Sequence, residues 1–494
     1  MTSFNYNTII IGAGVAGLSF ANYSLLANPN EKILIIDKDK VIGGCHKVNR
    51  KKYNDEYYFC EHGPRIYINN YINFIKLLKI MNLNFYDIFS KDYSLLQVSK
   101  KILIDSNIFS FSEILYIIRD FIFIVFFNNH GIDISMKTYM DNNNFSQKTK
   151  DLIDIMCRSS DGGGIDRISL NQFINLSIQT MLYSAYIPKI PNDEGLFKYW
   201  KKYLELNKIK FILNNGVNKI IPKNDKNEIE KIILNDGTEI KGDKFIFAIP
   251  PENIIDILEK CDDINIKNAF QDFNKLKIYA EKTKYDDYIS LTLHWDYELK
   301  DLIDDIDKFN IITEWGLITA NLSKNMKFKE SKSKSVISCA IIYTDVKNSF
   351  SNKTANECKD ENELFINVYE QLKLIYKNIP KPSLYFVNNY YDSKEKKWKS
   401  NEEAYIKVAN IDYIPFTSNK YKNLYNLGTH NGKHKNSFTS VESAISNSIK
   451  LSNIIFNKKR KILRCFDIRD LIIVILSLII LLLLIRYTYK LKYE

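Results

Sequence analysis

The chain has 494 residues, 45% hydrophobic and 26% charged, with a net charge of +11. This is the composition of a folded protein long enough for two or three domains, and it excludes a disordered chain. From Lys458 onward there are nine Lys/Arg against three Asp/Glu, which puts +6 of the +11 in the last 37 residues; the body has no basic stripe, and no nucleic-acid partner is expected.

Seven scattered cysteines without a CxxC pair speak against a disulfide framework and against zinc, so no metal site is expected and a reducing compartment fits. The apolar N-terminus is not read as a signal peptide, because no basic residue precedes it and a glycine loop interrupts it.

Thr8 to Ile11 reads as a short buried strand. It runs into Gly12-Ala13-Gly14-Val15-Ala16-Gly17 and then a helix with Leu18, Ala21 and Leu25 on one face. Gly12 permits the turn, and Gly14 lets backbone approach a pyrophosphate at the helix N-terminus, with Ala16 beside it. Gly17 lets helix and strand pack closely. A second strand, Lys32 to Asp37, ends in an acid twenty residues after Gly17, where a carboxylate accepts the ribose hydroxyls of an adenosine; Lys38 follows it. Gly43-Gly44 then brings another backbone segment to the same pyrophosphate.

An NAD domain would continue here with a regular strand-helix-strand unit. The chain instead reads YYFCEHGPRIY from Tyr57 to Tyr67, with a turn at Gly63-Pro64-Arg65. The acid, the paired glycines after a five-residue gap and the GPR turn together resemble the superfamily of flavin amine oxidases, protoporphyrinogen oxidases and phytoene-type desaturases. The GPR turn is most similar to protoporphyrinogen oxidases. The resemblance implies FAD as the cofactor. It also implies a discontinuous α/β Rossmann-like FAD-binding domain of the glutathione-reductase type, beside an α+β substrate domain with a mixed sheet.

Further along, FIFIVFF at Phe121 to Phe127 is too short to span a bilayer. It is expected as a buried helix of the second domain, with an interfacial helix as the alternative. Asp161 to Gly164, DGGG, reads as a flexible turn, since no lysine or threonine follows at P-loop spacing. Asn214 to Ile254 reads as a three-strand unit with a hairpin turn at Asp236-Gly237. By resemblance it returns the chain to the FAD domain, where the backbone at Val217 meets the adenine.

The stretch from Leu424 to Ile455 resembles the family's last FAD motif, a glycine turn at Gly428 followed by a helix. Thr439 and Glu442 stand at capping-box spacing, so the helix is expected to start at Thr439. The N–H groups of Ser440, Val441 and Glu442 and the positive helix end would then face a developing anion. His430 and His434, around Gly432, read as loop residues. The implied division is 1–75, 205–260 and 416–457 for the FAD domain, 76–204 and 261–415 for the substrate domain, and 458–494 for a basic linker and anchor.

The chemistry implied by the resemblance is transfer of a hydride from a substrate carbon to flavin N5, with oxygen as the usual acceptor. Amine-oxidising members carry a lysine near N5 on a strand that corresponds to Tyr288–Trp295. Ser290 takes its position, and Thr292 stands two residues on, on the same face. Ser440 takes the place of an aromatic residue of the monoamine oxidase cage, and Cys45 stands where many relatives have arginine; it reads as a small packed residue. Arg65 is a candidate charge near the flavin or substrate entrance, or equally a structural arginine of the turn. Arg65, Ser290 and Thr292 are thus the catalytic candidates.

Leu471 to Ile485 offers fifteen nearly apolar residues, about 22 Å of helix, against a hydrocarbon core of about 30 Å. Tyr487 and Tyr489 extend the span as interfacial anchors, and Arg469, Arg486 and Lys490 can snorkel. The reading is a single-pass C-terminal anchor over 471–489, suited to a thin membrane, with the body facing the cytosol. With the amine-handling residues missing, an apolar small-molecule substrate drawn from the bilayer is expected. The alternatives are oxidation of a soluble amine, a non-redox flavin isomerase similar to UDP-galactopyranose mutase in its IGGC and EHGPR stretches, or a non-catalytic flavoprotein.

Overall fold

The computed structural model describes residues 5–105, 107–223, 227–300, 302–303, 307–308, 311–400, 404–408, 411, 413–432 and 436–493. The first strand, β1 (Asn5–Ile11), is buried from Thr8 onward and leads through the glycine loop into α1 (Val15–Ala27). β2 (Ile33–Ile36) returns parallel to β1, setting Thr8 opposite Ile33 and Ile11 opposite Ile36.

β1 and β2 lie inside a seven-stranded sheet whose other members come from far along the chain. Lys210–Ile212 extends it beyond β2, and Glu239–Phe247 lies parallel on the other side of β1. Ile229–Leu234 and Val217–Pro222 follow antiparallel, and Leu424–Asn426 pairs with the end of Glu239–Phe247. Successive residues point to opposite faces. Ile10 and Ile35 enter one core while Ile9, Ile11, Leu34 and Ile36 enter the other. A sheet covered on both faces has no polar register, which is why these strands read as unbroken aliphatic runs.

α2 (Phe111–Phe126) begins with a capping box between Ser110 and Glu113. The structure corrects the expectation of a buried FIFIVFF helix. α2 buries Glu113, Ile117, Asp120 and Ile124, and leaves Phe111, Leu115, Ile118, Ile122, Phe123 and Phe126 exposed. The reason is that its two acids turn inward, Glu113 to the Ser110 and Ser146 N–H groups and Thr149, Asp120 to His130 and Tyr139, which fixes the rotation of the helix and sends the aliphatic side out.

β3 (Ile289–Trp295) is central in a four-stranded antiparallel sheet with Ile318–Asn321, Ser335–Ile341 and Leu384–Val387. Its alternation matches the pattern read from the sequence. Ile289, Leu291, Leu293 and Trp295 pack with helix Glu361–Ile375. Ser290, Thr292 and His294 face the end of strand Glu56–Cys60 and the residues just beyond it.

α3 (Val441–Phe456) lies along α1, and small residues make the close approach possible. The Ser19 hydroxyl donates to Ser448 at 2.8 Å, and Ser448 and Ser452 reach the carbonyls of Ala16 and Tyr23. α4 (Ile468–Tyr493) is a single helix of 26 residues, about 39 Å long. Its stretch Ile468–Lys490 has a mean hydropathy of 3.0 with none of its most apolar window buried, so it is long and apolar enough to cross a membrane. The helix runs on through Arg486, which makes it longer than the fifteen-residue run alone.

Candidate active site

The loop between β1 and α1 is shaped by where a side chain cannot go. Gly12 has φ 111°, and a Cβ there would strike the carbonyl of Ala248; at Gly17 it would strike the carbonyl of Gly12. The first close approach seals the turn against the end of Glu239–Phe247, and the second seats α1 on β1. Gly14 is the N-cap of α1, and Gly44 passes so near that a Cβ on it would lie 3.0 Å from the Gly14 Cα. The Gly43 N–H donates to the Ala13 carbonyl at 2.9 Å, so the two glycine segments form one floor at the open end of α1.

Asp37, just past β2, accepts the Ala13 N–H at 2.6 Å and the Asp39 N–H at 2.8 Å. Burial pushes its carboxyl up from the ordinary range, and these two donors pull the other way. Lys38 packs against Gly216, and Val217 is buried on the same wall. A cavity of about 910 Å³ unites these groups: Gly12, Gly14, Ala16, Asp37, Lys38, Gly43, Gly44 and Val217 line it, and so do Arg65, Gly428, Thr439, Ser440 and Val441. That volume is at the large end for a small-molecule or cofactor site. Gly17, Gly63 and Pro64 are not on its wall. Gly17 lies beneath the loop, and Gly63 and Pro64 shape the turn that places His62 and Arg65 there.

Arg65 donates to the carbonyl of Cys45. Its charge adds to burial in holding His46 and His62, both on the cavity wall, down at about 3, so both are neutral at ordinary pH. The His62 ring meets the Ser400 hydroxyl at 3.1 Å. Ser290 and Thr292, expected to be catalytic, are both fully buried and neither lines the cavity. The Ser290 hydroxyl donates to the His62 carbonyl, and Thr292 contacts Cys60 Sγ at 3.7 Å, because the polar face of β3 is covered by the segment running from Glu56 to the GPR turn.

The start of α3 also differs from expectation. Ser440, not Thr439, is the N-cap: its hydroxyl accepts the Ser443 N–H at 3.2 Å, and Ser443 Oγ accepts the Ser440 N–H at 3.1 Å. The Glu442 carboxylate instead accepts the N–H groups of Asn73 and Phe74, each at 2.9 Å, and burial raises it to about 7. The Thr439 N–H goes to Asp161 Oδ1 at 2.8 Å. Val441 and Glu442 are therefore the first N–H donors of α3 without an acceptor among the described residues, and Val441 lines the cavity.

Sequence reasoning missed Asp161. Rather than opening a flexible turn, it ends helix Gln147–Asp161, which Gly162 closes in the left-handed conformation. The side chain is buried, takes hydrogen bonds from Thr439 and Gln172, and is pushed up to about 7 by burial. No local signal links residues 278 apart. Tyr285, Tyr288 and Tyr405 were missed too, and all three line the cavity. His430 is buried against Asn426 at 2.8 Å and is held low, at about 3, by burial; His434 lies outside the described residues.

A family model for an NAD(P)-binding Rossmann-like domain matches residues 10–80. Among the curated proteins compared, none matches the chain. In fold it is similar to an oxidoreductase from Methanosarcina mazei, with 12% identity and a TM-score of 0.59 over 92% of this chain and 100% of that one. It is also similar to a candidate protoporphyrinogen oxidase from Exiguobacterium sp. 255-15 (10%, TM-score 0.56, 93% and 100%). A third is cyclohexylamine oxidase from Brevibacterium oxydans (11%, TM-score 0.55, 92% and 99%). The chain thus has a Rossmann-like fold shared with these oxidoreductases, as the sequence motifs imply.

Proposed function

We propose that the chain is an FAD-dependent oxidoreductase, held on a membrane by α4 with its body in the cytosol, that oxidises an apolar or membrane-associated small molecule with oxygen as the acceptor. The observation that carries the reading is the convergence of four distant glycine- and helix-based motifs on one cavity. The seven-stranded sheet draws strands only from 1–75, 205–260 and 416–457, and the four-stranded sheet only from 261–415, which supports the division into FAD and substrate domains.

The residues fit the cofactor. Gly12, Gly14, Gly43 and Gly44 leave a side-chain-free floor at the N-terminus of α1 for a pyrophosphate. Asp37 has lone pairs left for ribose hydroxyls, and Val217 is positioned for the adenine. Bound FAD supplies the hydride-accepting chemistry. The protein's part is electrostatic: the Val441 and Glu442 N–H groups and the positive end of α3 stabilise negative charge that develops beside them, and Arg65 adds a fixed cation. Ser290 acts as a positioning residue, through the His62 carbonyl.

A second reading, oxidation of a soluble amine, is favoured by the fold shared with cyclohexylamine oxidase. Anaerobic titration of the purified protein with porphyrinogens, polyenes and amines separates the two. Bleaching of the flavin by an apolar donor is the expected result, and bleaching by amines alone would replace it with the second reading. A bound flavin that none of these reduces would point to an isomerase or a non-catalytic flavoprotein.

A further inference from the structure

A soluble amphipathic helix buries its aliphatic residues and exposes its charges. α2 buries both its acids, and only Ile117 and Ile124 of its apolar residues are buried with them. Phe111, Leu115, Ile118, Ile122 and Phe126 fall at i, i+4, i+7, i+11 and i+15 on one face, and each is between 48% and 77% exposed. Its two acids point inward. Glu113 accepts from the Ser110 and Ser146 N–H groups at 2.6 Å each, and Asp120 meets His130 at 2.7 Å and the Tyr139 hydroxyl at 2.9 Å. Ile117 and Ile124 pack beneath with Met136 and Met140. The rotation of the helix is therefore fixed from inside. Arg119, the one exposed charge on α2, is paired with the neighbouring Asp120 at 2.6 Å, so the outer face carries no acid to repel an anionic headgroup.

We infer that this face of α2 lies on the bilayer surface as a second, non-spanning membrane contact. The inference rests on the reading of α4 as a bilayer anchor, and continuity with α4 identifies the occupant. Arg469, in the first turn of α4, donates to Asn128 Oδ1 at 2.8 Å, two residues beyond the end of α2, and Ile468 packs against the core beneath α2. The apolar stripe thus begins where the anchor leaves the body. It runs about 22 Å, and a helix lying in the interface sinks such an apolar face about 5–10 Å into the headgroup boundary. An apolar surface of this extent is not left to water without a partner.

The test uses the full chain in vesicles of phosphatidylcholine and phosphatidylserine. Leu115→Trp and Ile122→Trp are made separately at exposed positions that the fold does not depend on, and melting profiles confirm folding. Each is compared with the parent for quenching by acyl-brominated lipid. The expected result is flotation of both variants with the vesicles and quenching of the added indole at both positions. Flotation without quenching overturns the inference but leaves the anchor standing; a blue-shifted, unquenched indole would then place a second copy or another protein on this face. Quenching at Ile122 alone also overturns it, because only the end nearest the anchor would touch lipid. Failure to float overturns the anchor reading and this one with it.

Discussion

Asp161 shows how a single side chain ties helix Gln147–Asp161 to the start of α3. Its carboxyl is raised from an ordinary 3.8 to about 7 by burial, so the folded chain holds a proton there that the unfolded chain has released. Stability from this group is full below the unfolded value, falls as pH rises from about 4 to about 7, and is flat above. Asp161→Asn keeps an acceptor for Thr439, and the Gln172 amide can flip to meet the new NH2. The variant is expected to lack this fall, a difference of up to about 3 kcal/mol between pH 5 and pH 8, read from urea midpoints of both proteins at the two pH values.

Gly12 is the opposite case at the same scale, legible because the steric demand is local. Gly12→Val places a β-branched side chain at φ 111° against the Ala248 carbonyl. The expected outcome is loss of FAD retention by ~10-fold or more, read as the flavin-to-protein absorbance ratio, since even ~1.4 kcal/mol of strain is tenfold in binding. The glycines and Asp37 could be read from sequence for this reason. Asp161, His62 and the cavity tyrosines could not, because their roles depend on partners that only the folded chain brings near.

At the scale of elements, α3 shows both the reach and the limit of local patterns. The sequence places a capped helix here, but Thr439/Glu442 and Ser440/Ser443 have the same spacing. What decides between them is distant: Asn73 and Phe74 occupy the Glu442 carboxylate, and Asp161 occupies the Thr439 N–H. Ser440→Ala is therefore expected to cost about 1 kcal/mol, and Ser440→Asn to restore it, in thermal or denaturant unfolding. Glu442→Ala is expected to cost more, about 2–3 kcal/mol, because it leaves two buried N–H donors without an acceptor. β3 was legible as a strand from its alternation. The destination of its polar face was not, since hydrophobicity says which side is wet or dry but not which backbone covers it.

For the whole molecule, the nucleotide end and the tail are the most legible parts, because each is a continuous pattern set by a fixed physical length. The two large sheets are assembled from strands scattered over more than 400 residues, which no local rule brings together. Attachment through α4 should be hydrophobic rather than ionic. The full chain is expected to stay with vesicles in about 1 M salt, where screening falls to about 3 Å, and a chain ending at Cys465 is expected to lose that retention. Release of the full chain by salt would assign the attachment to the basic linker instead.

The central claim is that the cavity holds FAD. The most direct measurement is the absorbance spectrum of the purified full chain, before and after incubation with FAD and removal of the excess, with the released cofactor identified after denaturation. One FAD per chain is expected in the wild type, and its loss in Gly12→Val. A well-folded chain that takes up no flavin would contradict it.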